Sequence, residues 1–248
     1  MRVAILASGG KDSTFASWWA IMQGWDVQAL VTMVVENEYS MMFQYDNTVI
    51  AGLQAASMEI PWVPIHSEGI EDNEIIDLEQ ALKNKIDNKL MIPKIWKKDF
   101  DMPDSLKLFE GKLDIDGIVV GALRSDYQKM RIEMMSERLG IKSFTPIWHL
   151  NSNEYMHSLI ENGFKFHITS ISCEGLGKQW IGRLIDTNNL YELEKISEEF
   201  RFNVDGEGGE FETLVTNAPH MKKEIFIEGT TKWDGIRGNW IITKCYLK

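Results

Sequence analysis

The chain has 248 residues, 44% of them hydrophobic and 25% charged, with a formal net charge of −11. That length suffices for one large α/β domain or two modest ones, each able to bury a core. A surface this acidic repels phosphate backbones, which argues against free nucleic acid as a partner and favours a cationic or basic one.

The two cysteines, Cys173 and Cys245, lie far apart without CxxC spacing, which argues against a disulfide framework or a structural zinc site. The N-terminus enters an apolar strand at once and reaches a Gly-rich loop by Ser8, with no basic and then apolar leader. No apolar run approaches the ~18 residues of a membrane span. The expectation is a cytoplasmic protein with no membrane partner.

In chain order, residues 2–6 form a short apolar strand that ends in the loop 7–13. Residues 14–23 follow as a helix with Phe15, Trp19 and Met22 on one face, stopped by Gly24. Residues 27–35 are apolar with little alternation, as in a strand covered on both faces. A helix over 48–58 capped by Asp46 or Asn47, and a strand over 62–65, come next. Residues 72–89 carry acids early (Asp72, Glu74, Asp77) and lysines late (Lys83, Lys85, Lys89), suiting a helix dipole. The stretch from Pro93 to Pro103, with Trp96 and three lysines, reads as an exposed loop. Residues 117–122 form another buried strand, followed by a helix over 126–139.

The β-α-β-α order predicts a doubly wound, mainly parallel sheet, whose ligands bind at the carboxyl ends of the strands. Beyond this part the pattern changes to helices at 153–161 and 189–200 and strands at 165–172, 211–216, 224–228 and 239–247, with Asp234-Gly235 as a turn. We therefore expect an α/β domain over residues 1–142 and a smaller α+β domain over 143–248 that binds substrate.

Three segments carry chemistry. Ser8-Gly9-Gly10-Lys11-Asp12-Ser13 lies between the first strand and its helix. The glycines let backbone N–H groups approach an anion, and Lys11, Ser8, Ser13 and the helix N-terminus complete a phosphate cradle. Asp12 conflicts with an anion unless Mg²⁺ sits there too. The segment lacks Walker A spacing. Residues 121–128 then bring Gly121 for close packing, Ser125 or Asp126 as a helix cap, Arg124 for a phosphate or carboxylate, and Tyr127 and Gln128 for base or ribose. An ordinary capped helix with Arg124 in a salt bridge fits the same residues.

In Asp205-Gly206-Glu207-Gly208-Gly209-Glu210-Phe211-Glu212-Thr213, three glutamates and three glycines crowd into the seven residues 206–212. Such crowding suits a bound cation, although a solvated acidic hairpin has the same composition. Gly175-Leu176-Gly177-Lys178 also looks phosphate-friendly, but it lacks a following Ser or Thr and reads as a turn.

The loop SGGKDS resembles the pyrophosphate loop, SGGxDS, of the N-type ATP pyrophosphatases. Together with GALRSDYQKMRIE, its trailing RLG and PIW, and GEGGEFETLV, the chain resembles the diphthine–ammonia ligase family across nearly its whole length. Lys129 stands where that family commonly has arginine after the YQ pair, and the chain resembles the family's short, archaeal-like form.

The resemblance implies a PP-loop (HUP, adenine nucleotide alpha hydrolase-like) fold and an AMP-forming carbon–nitrogen ligase. Its reaction would take ATP, ammonium and diphthine on translation elongation factor 2 to diphthamide, AMP and pyrophosphate. On that footing Lys11, Asp12, Glu207 and Glu210 are the candidate catalytic residues. Ser8, Gly9, Gly10, Lys11, Asp12, Ser13, Gly121, Arg124, Ser125, Tyr127 and Gln128 would bind the nucleotide, with Asp12 on Mg²⁺. Glu207, Gly208, Gly209, Glu210, Glu212 and Thr213 would bind substrate. The trimethylammonium group of diphthine wants aromatic faces and diffuse negative charge, which Trp148 or Tyr127 could supply with the glutamates. Two rivals stand beside this reading: a PP-loop enzyme adenylating a tRNA base, and a non-catalytic adenine-nucleotide-binding module.

Overall fold

The computed structural model describes residues 1–35, 50–68, 73–86, 92, 96, 100, 102–122 and 124–248. Its first part runs β1 (Arg2–Leu6), α1 (Lys11–Met22), β2 (Asp26–Val35), α2 (Ile50–Met58), β3 (Trp62–Ser67) and α3 (Asn73–Lys83). It continues through β4 (Lys85–Ile86), β5 (Gly111–Lys112), β6 (Gly117–Val120), α4 (Asp126–Leu139) and β7 (Lys142–Phe144). The second part comprises α5 (Ser152–Glu161), β8 (Lys165–Ile171), a 3-10 turn (Lys178–Trp180), α6 (Thr187–Phe200), β9 (Phe211–Asn217), β10 (Ile225–Trp233) and β11 (Gly238–Leu247).

Strands β3-β2-β1-β6-β7 form one sheet, parallel throughout. The order reverses between β1 and β6, so the crevice outside their carboxyl ends is the switch point of a doubly wound sheet. The loops leaving these two strands are 7–10 and 121–125. Strands β10-β11-β8-β9 form a separate antiparallel sheet. The expected α/β sheet with a smaller α+β part is therefore the observed architecture.

Side chains alternate along β1 between two cores. Val3 and Ile5 join a cluster that also holds Trp62, Tyr155, Phe166, Leu214 and Cys245, and so runs through both sheets. Ala4 faces the opposite side with Ile118, Leu78 and Ile132. Among the described residues no helix is long and apolar enough to cross a membrane.

Several local expectations change. Helix α3 stops at Lys83 because Lys85 and Ile86 pair with Lys112 and Gly111. Strand β7, which the pattern did not predict, pairs with β6 and contains the expected boundary at 142/143. Strand β10 continues to Trp233 because the Asp234-Gly235 turn makes a long hairpin with β11. In the stretch 93–103 Trp96 and Phe100 are buried, contrary to an exposed loop: the Trp96 indole meets Trp62 edge-on at 6.0 Å and donates to the Phe100 carbonyl. Asp46, Asn47, Thr48, Asp72, Lys89, Pro93 and Leu123 lie outside the described residues.

Candidate active site

The loop after β1 is shaped by its own hydroxyls. Gly9 takes φ +92, which favours glycine, and Gly10 is the N-cap of α1 without a side-chain cap bond. The Ser13 hydroxyl receives the Ser8 N–H at 3.1 Å and donates to the Gly10 carbonyl at 3.2 Å. Ser8 Oγ lies 3.2 Å from Ser13 Oγ, so the two hydroxyls converge at the positive end of α1.

The second sheet grips this loop from outside. The Lys11 N–H donates to Thr213 Oγ1 at 3.1 Å, and the Val215 N–H donates to the Gly9 carbonyl at 3.0 Å. Buried Gln54, the one long polar side chain of apolar α2, donates from Nε2 to both Gly9 O and Val215 O, at 2.9 and 2.8 Å. Strand β9 therefore sets the position of the loop.

The two other segments close a cavity of about 570 Å³ over it. Its walls are Leu6, Met33 and Val120 on the apolar side, with Ser8, Lys11, Asp12, Ser13, Gly121, Ser125, Gln128, Glu207, Glu212 and Thr213 among the rest. Gly121 allows the closest approach: a Cβ there would stand 2.5 Å from the Asp12 carbonyl carbon. Ser125 caps α4, its hydroxyl accepting the Gln128 N–H at 3.3 Å.

Charge is concentrated at Lys11, which is only 3% exposed. Its ammonium donates to both oxygens of Asp12, at 3.0 and 2.9 Å. Burial pulls the lysine pKa down, but Asp12, with Glu207 and Asp205, more than offsets it and leaves it raised. The buried Tyr155 hydroxyl donates to Asp12 Oδ1 at 2.8 Å, and burial followed by Asp12 lifts its pKa well above the usual phenol value.

Glu207 is raised to about 7, first by burial and then by Asp12, while Lys11 and the Arg124 N–H pull the other way. Asp205 is fully buried: Oδ1 accepts the Glu207 N–H at 3.3 Å, and Oδ2 has no hydrogen-bond partner among the described residues.

The structure thus brings Ser8, Lys11, Asp12, Ser13, Gly121, Ser125, Gln128, Glu207, Gly208, Gly209, Glu212 and Thr213 to one cavity. Gly9 and Gly10 support it as backbone. Glu210 turns elsewhere, its carboxylate accepting from Asn203 N, Asn203 Nδ2 and Gly208 N and so bracing the 203–210 turn. The Arg124 guanidinium donates to Leu150 O and Ser152 Oγ, while its N–H donates to Glu207 Oε2 at 3.2 Å. Tyr127 lies under the Arg131 guanidinium and Trp148 under the Lys129 ammonium, both outside the cavity lining. Residues 175–178 lead into the 3-10 turn, apart from the cavity.

Tyr155 and Gln54 had not been singled out, and Asp205 stood in the acid-rich segment without an assigned role. Tyr155 sits in the ordinary buried stripe of α5 with Met156 and Leu159, so nothing in its spacing separates it from core. Gln54 left a signal, an amide alone within a fully buried helix.

Asp12 suits magnesium in the manner of a single carboxylate that shares the ion with phosphate oxygens and water. Its side chain lines the cavity, and no group of three or more His, Cys, Asp or Glu able to hold a metal occurs among the described residues.

Family models match almost end to end: the diphthamide synthase N-terminal domain over residues 1–99 and 98–143, and the diphthamide synthase C-terminal domain over 151–247. The chain belongs to the diphthamide synthase family. The expectation of an ATP-dependent carbon–nitrogen ligase in diphthamide synthesis is met at the level of that family. The chain is similar to the diphthine–ammonia ligase of Homo sapiens, 28% identical over 239 residues, covering 93% of this chain and 84% of the relative. With that of Schizosaccharomyces pombe it is 25% identical over 252 residues, spanning all of this chain and 39% of the relative. Among solved structures, a predicted subunit of tRNA methyltransferase from Methanocaldococcus jannaschii matches with a TM-score of 0.38 and 17% identity, over 88% of this chain and 99% of that one.

Proposed function

We propose that this chain adenylates the carboxylate of diphthine on translation elongation factor 2 and passes the activated acyl group to ammonium, giving diphthamide, AMP and pyrophosphate. The observation that carries the reading is the single cavity in which the Gly-rich loop of β1 meets the acid-rich segment before β9. Nucleotide-holding and cation-holding groups then share one space, as a reaction of ATP with a cationic substrate requires.

A free carboxylate cannot become an amide directly, because its oxygen leaves poorly. In the first step a diphthine carboxylate oxygen attacks the α-phosphorus, and the bond to the bridging oxygen breaks as pyrophosphate departs. In the second step ammonia attacks the acyl carbon and the C–O bond to AMP breaks. The protein's part is positioning and charge stabilisation.

Ser8, Ser13 and the N–H groups at the head of α1 would hold phosphate oxygens, and Lys11 would neutralise charge on the departing pyrophosphate. Asp12 would hold magnesium, which neutralises phosphate charge when bound. Glu207, near neutrality in its pKa, would accept the proton that ammonium sheds. Residues 143–248 would form the domain that receives the elongation factor.

The test is to incubate the protein with ATP, ammonium and elongation factor 2 bearing diphthine. AMP and amidated elongation factor should form together, and neither without ammonium-dependent turnover. Release of ADP, or AMP formation indifferent to the elongation factor, would overturn the proposal.

A further inference from the structure

The Asp12 carboxylate has two claims on it from opposite parts of the chain. Lys11, its neighbour in α1, reaches both oxygens, while Tyr155 in α5 donates to Oδ1 alone at 2.8 Å. The Tyr155 ring is only 2% exposed and is held edge-on by Phe15 at 5.4 Å, so the hydroxyl has little freedom to turn away. The start of α5 is in turn fastened to the cavity wall: Arg124 donates to Leu150 O and to Ser152 Oγ, three positions before Tyr155. The N–H of the same Arg124 holds Glu207, across the cavity from Asp12.

When the Lys11 ammonium leaves for a phosphate, magnesium on one oxygen of Asp12 still leaves the other oxygen to be held by a donor. Among the described residues Tyr155 is the hydroxyl that already fills that place. We propose that Tyr155 is a positioning residue, holding Asp12 so that Lys11 can shift from that carboxylate to the polyphosphate of a bound nucleotide. The inference rests on the nucleotide reading of the residue 8–13 loop. It assigns to the second part of the chain a share in phosphate binding, through a neutral donor that makes no contact with the nucleotide.

The effect belongs to the polyphosphate and not to the nucleoside. Tyr155→Phe keeps the ring and its packing but removes the donor. ATP affinity should therefore fall about tenfold, the scale of one hydrogen bond to a charged group, while AMP affinity stays within about twofold. Both are measured by calorimetry on the full chain in magnesium buffer. In an Asp12→Ala background the same substitution should leave the ATP-to-AMP ratio unchanged. A purely structural tyrosine would weaken both nucleotides alike, and an unchanged ratio in Tyr155→Phe overturns the inference. If the wild-type chain binds neither nucleotide, the nucleotide reading itself is what fails. Should Tyr155→Phe not fold, a crystal of the wild-type chain with a non-hydrolysable ATP analogue should show Lys11 on a phosphate oxygen and the Tyr155 hydroxyl still on Asp12. Lys11 still paired with Asp12, or Tyr155 turned away from it, would refute the role.

Discussion

At Gly121 the chain has no room for a side chain. A Cβ there would meet Asp12 O and Ser13 N at 2.6 Å, and both are backbone atoms that cannot turn aside. Gly121→Ala should push α1 away from β6, costing about 1–3 kcal/mol of stability. ATP affinity should fall with it, and urea denaturation beside a binding isotherm would check both. Glu207 offers a test in pH. Its folded pKa of about 7 exceeds the ordinary 4.5, so the folded chain retains a proton that the unfolded chain has lost. The stabilisation is complete below pH 4.5 and is lost as pH rises through about 7. Glu207→Gln, neutral throughout, should raise the melting temperature at pH 8 and leave it nearly unchanged at pH 5. Equal shifts at both values would show that charge is not the cause. Glu210 differs in kind, since three donors of its own turn surround it. Glu210→Ala should loosen residues 203–210, seen as faster amide exchange at Gly208, and Glu210→Gln should do so less.

Among elements, α2 and β9 decide where the Gly-rich loop after β1 lies. Gln54 joins them by two bonds from one nitrogen, so Gln54→Ala strips a donor from the buried Gly9 and Val215 carbonyls. A loss of about 1–3 kcal/mol is expected in denaturant unfolding. At this scale the parallel sheet and the loop after β1 were legible, because buried strands are apolar runs and a Gly-rich bend at the first strand has few other uses. The acid-rich stretch was legible as composition, but which glutamate faces the cavity was not: Glu207 and Glu210 are three residues apart and only the fold of the turn separates them. Tyr155 was hidden because its partner is distant in the chain, 143 positions away at Asp12. The short pairing of β4 with β5 was likewise invisible, since it overrides a charge pattern that favours continued helix.

For the molecule as a whole, the larger core passes from Val3 and Ile5 of the parallel sheet to Phe166 and Val215 of the antiparallel one. The two sheets should therefore melt together. Tryptophan fluorescence and far-ultraviolet dichroism should give coincident unfolding curves, and saturating ATP should move that one transition upward. Two separable transitions would refute a shared core. Strand β9 has a further consequence. Gly208 and Gly209, in the turn that feeds it, are exposed, and surface turns ordinarily accept extra residues. Here the hydroxyl of Thr213 must reach the Lys11 amide and the Val215 amide must reach the Gly9 carbonyl. Because register is set by the turn, an insertion that slipped β9 by one position would offer Glu212 to Lys11 in place of Thr213. The turn is open to solvent, yet its length is a dimension of the proposed phosphate site.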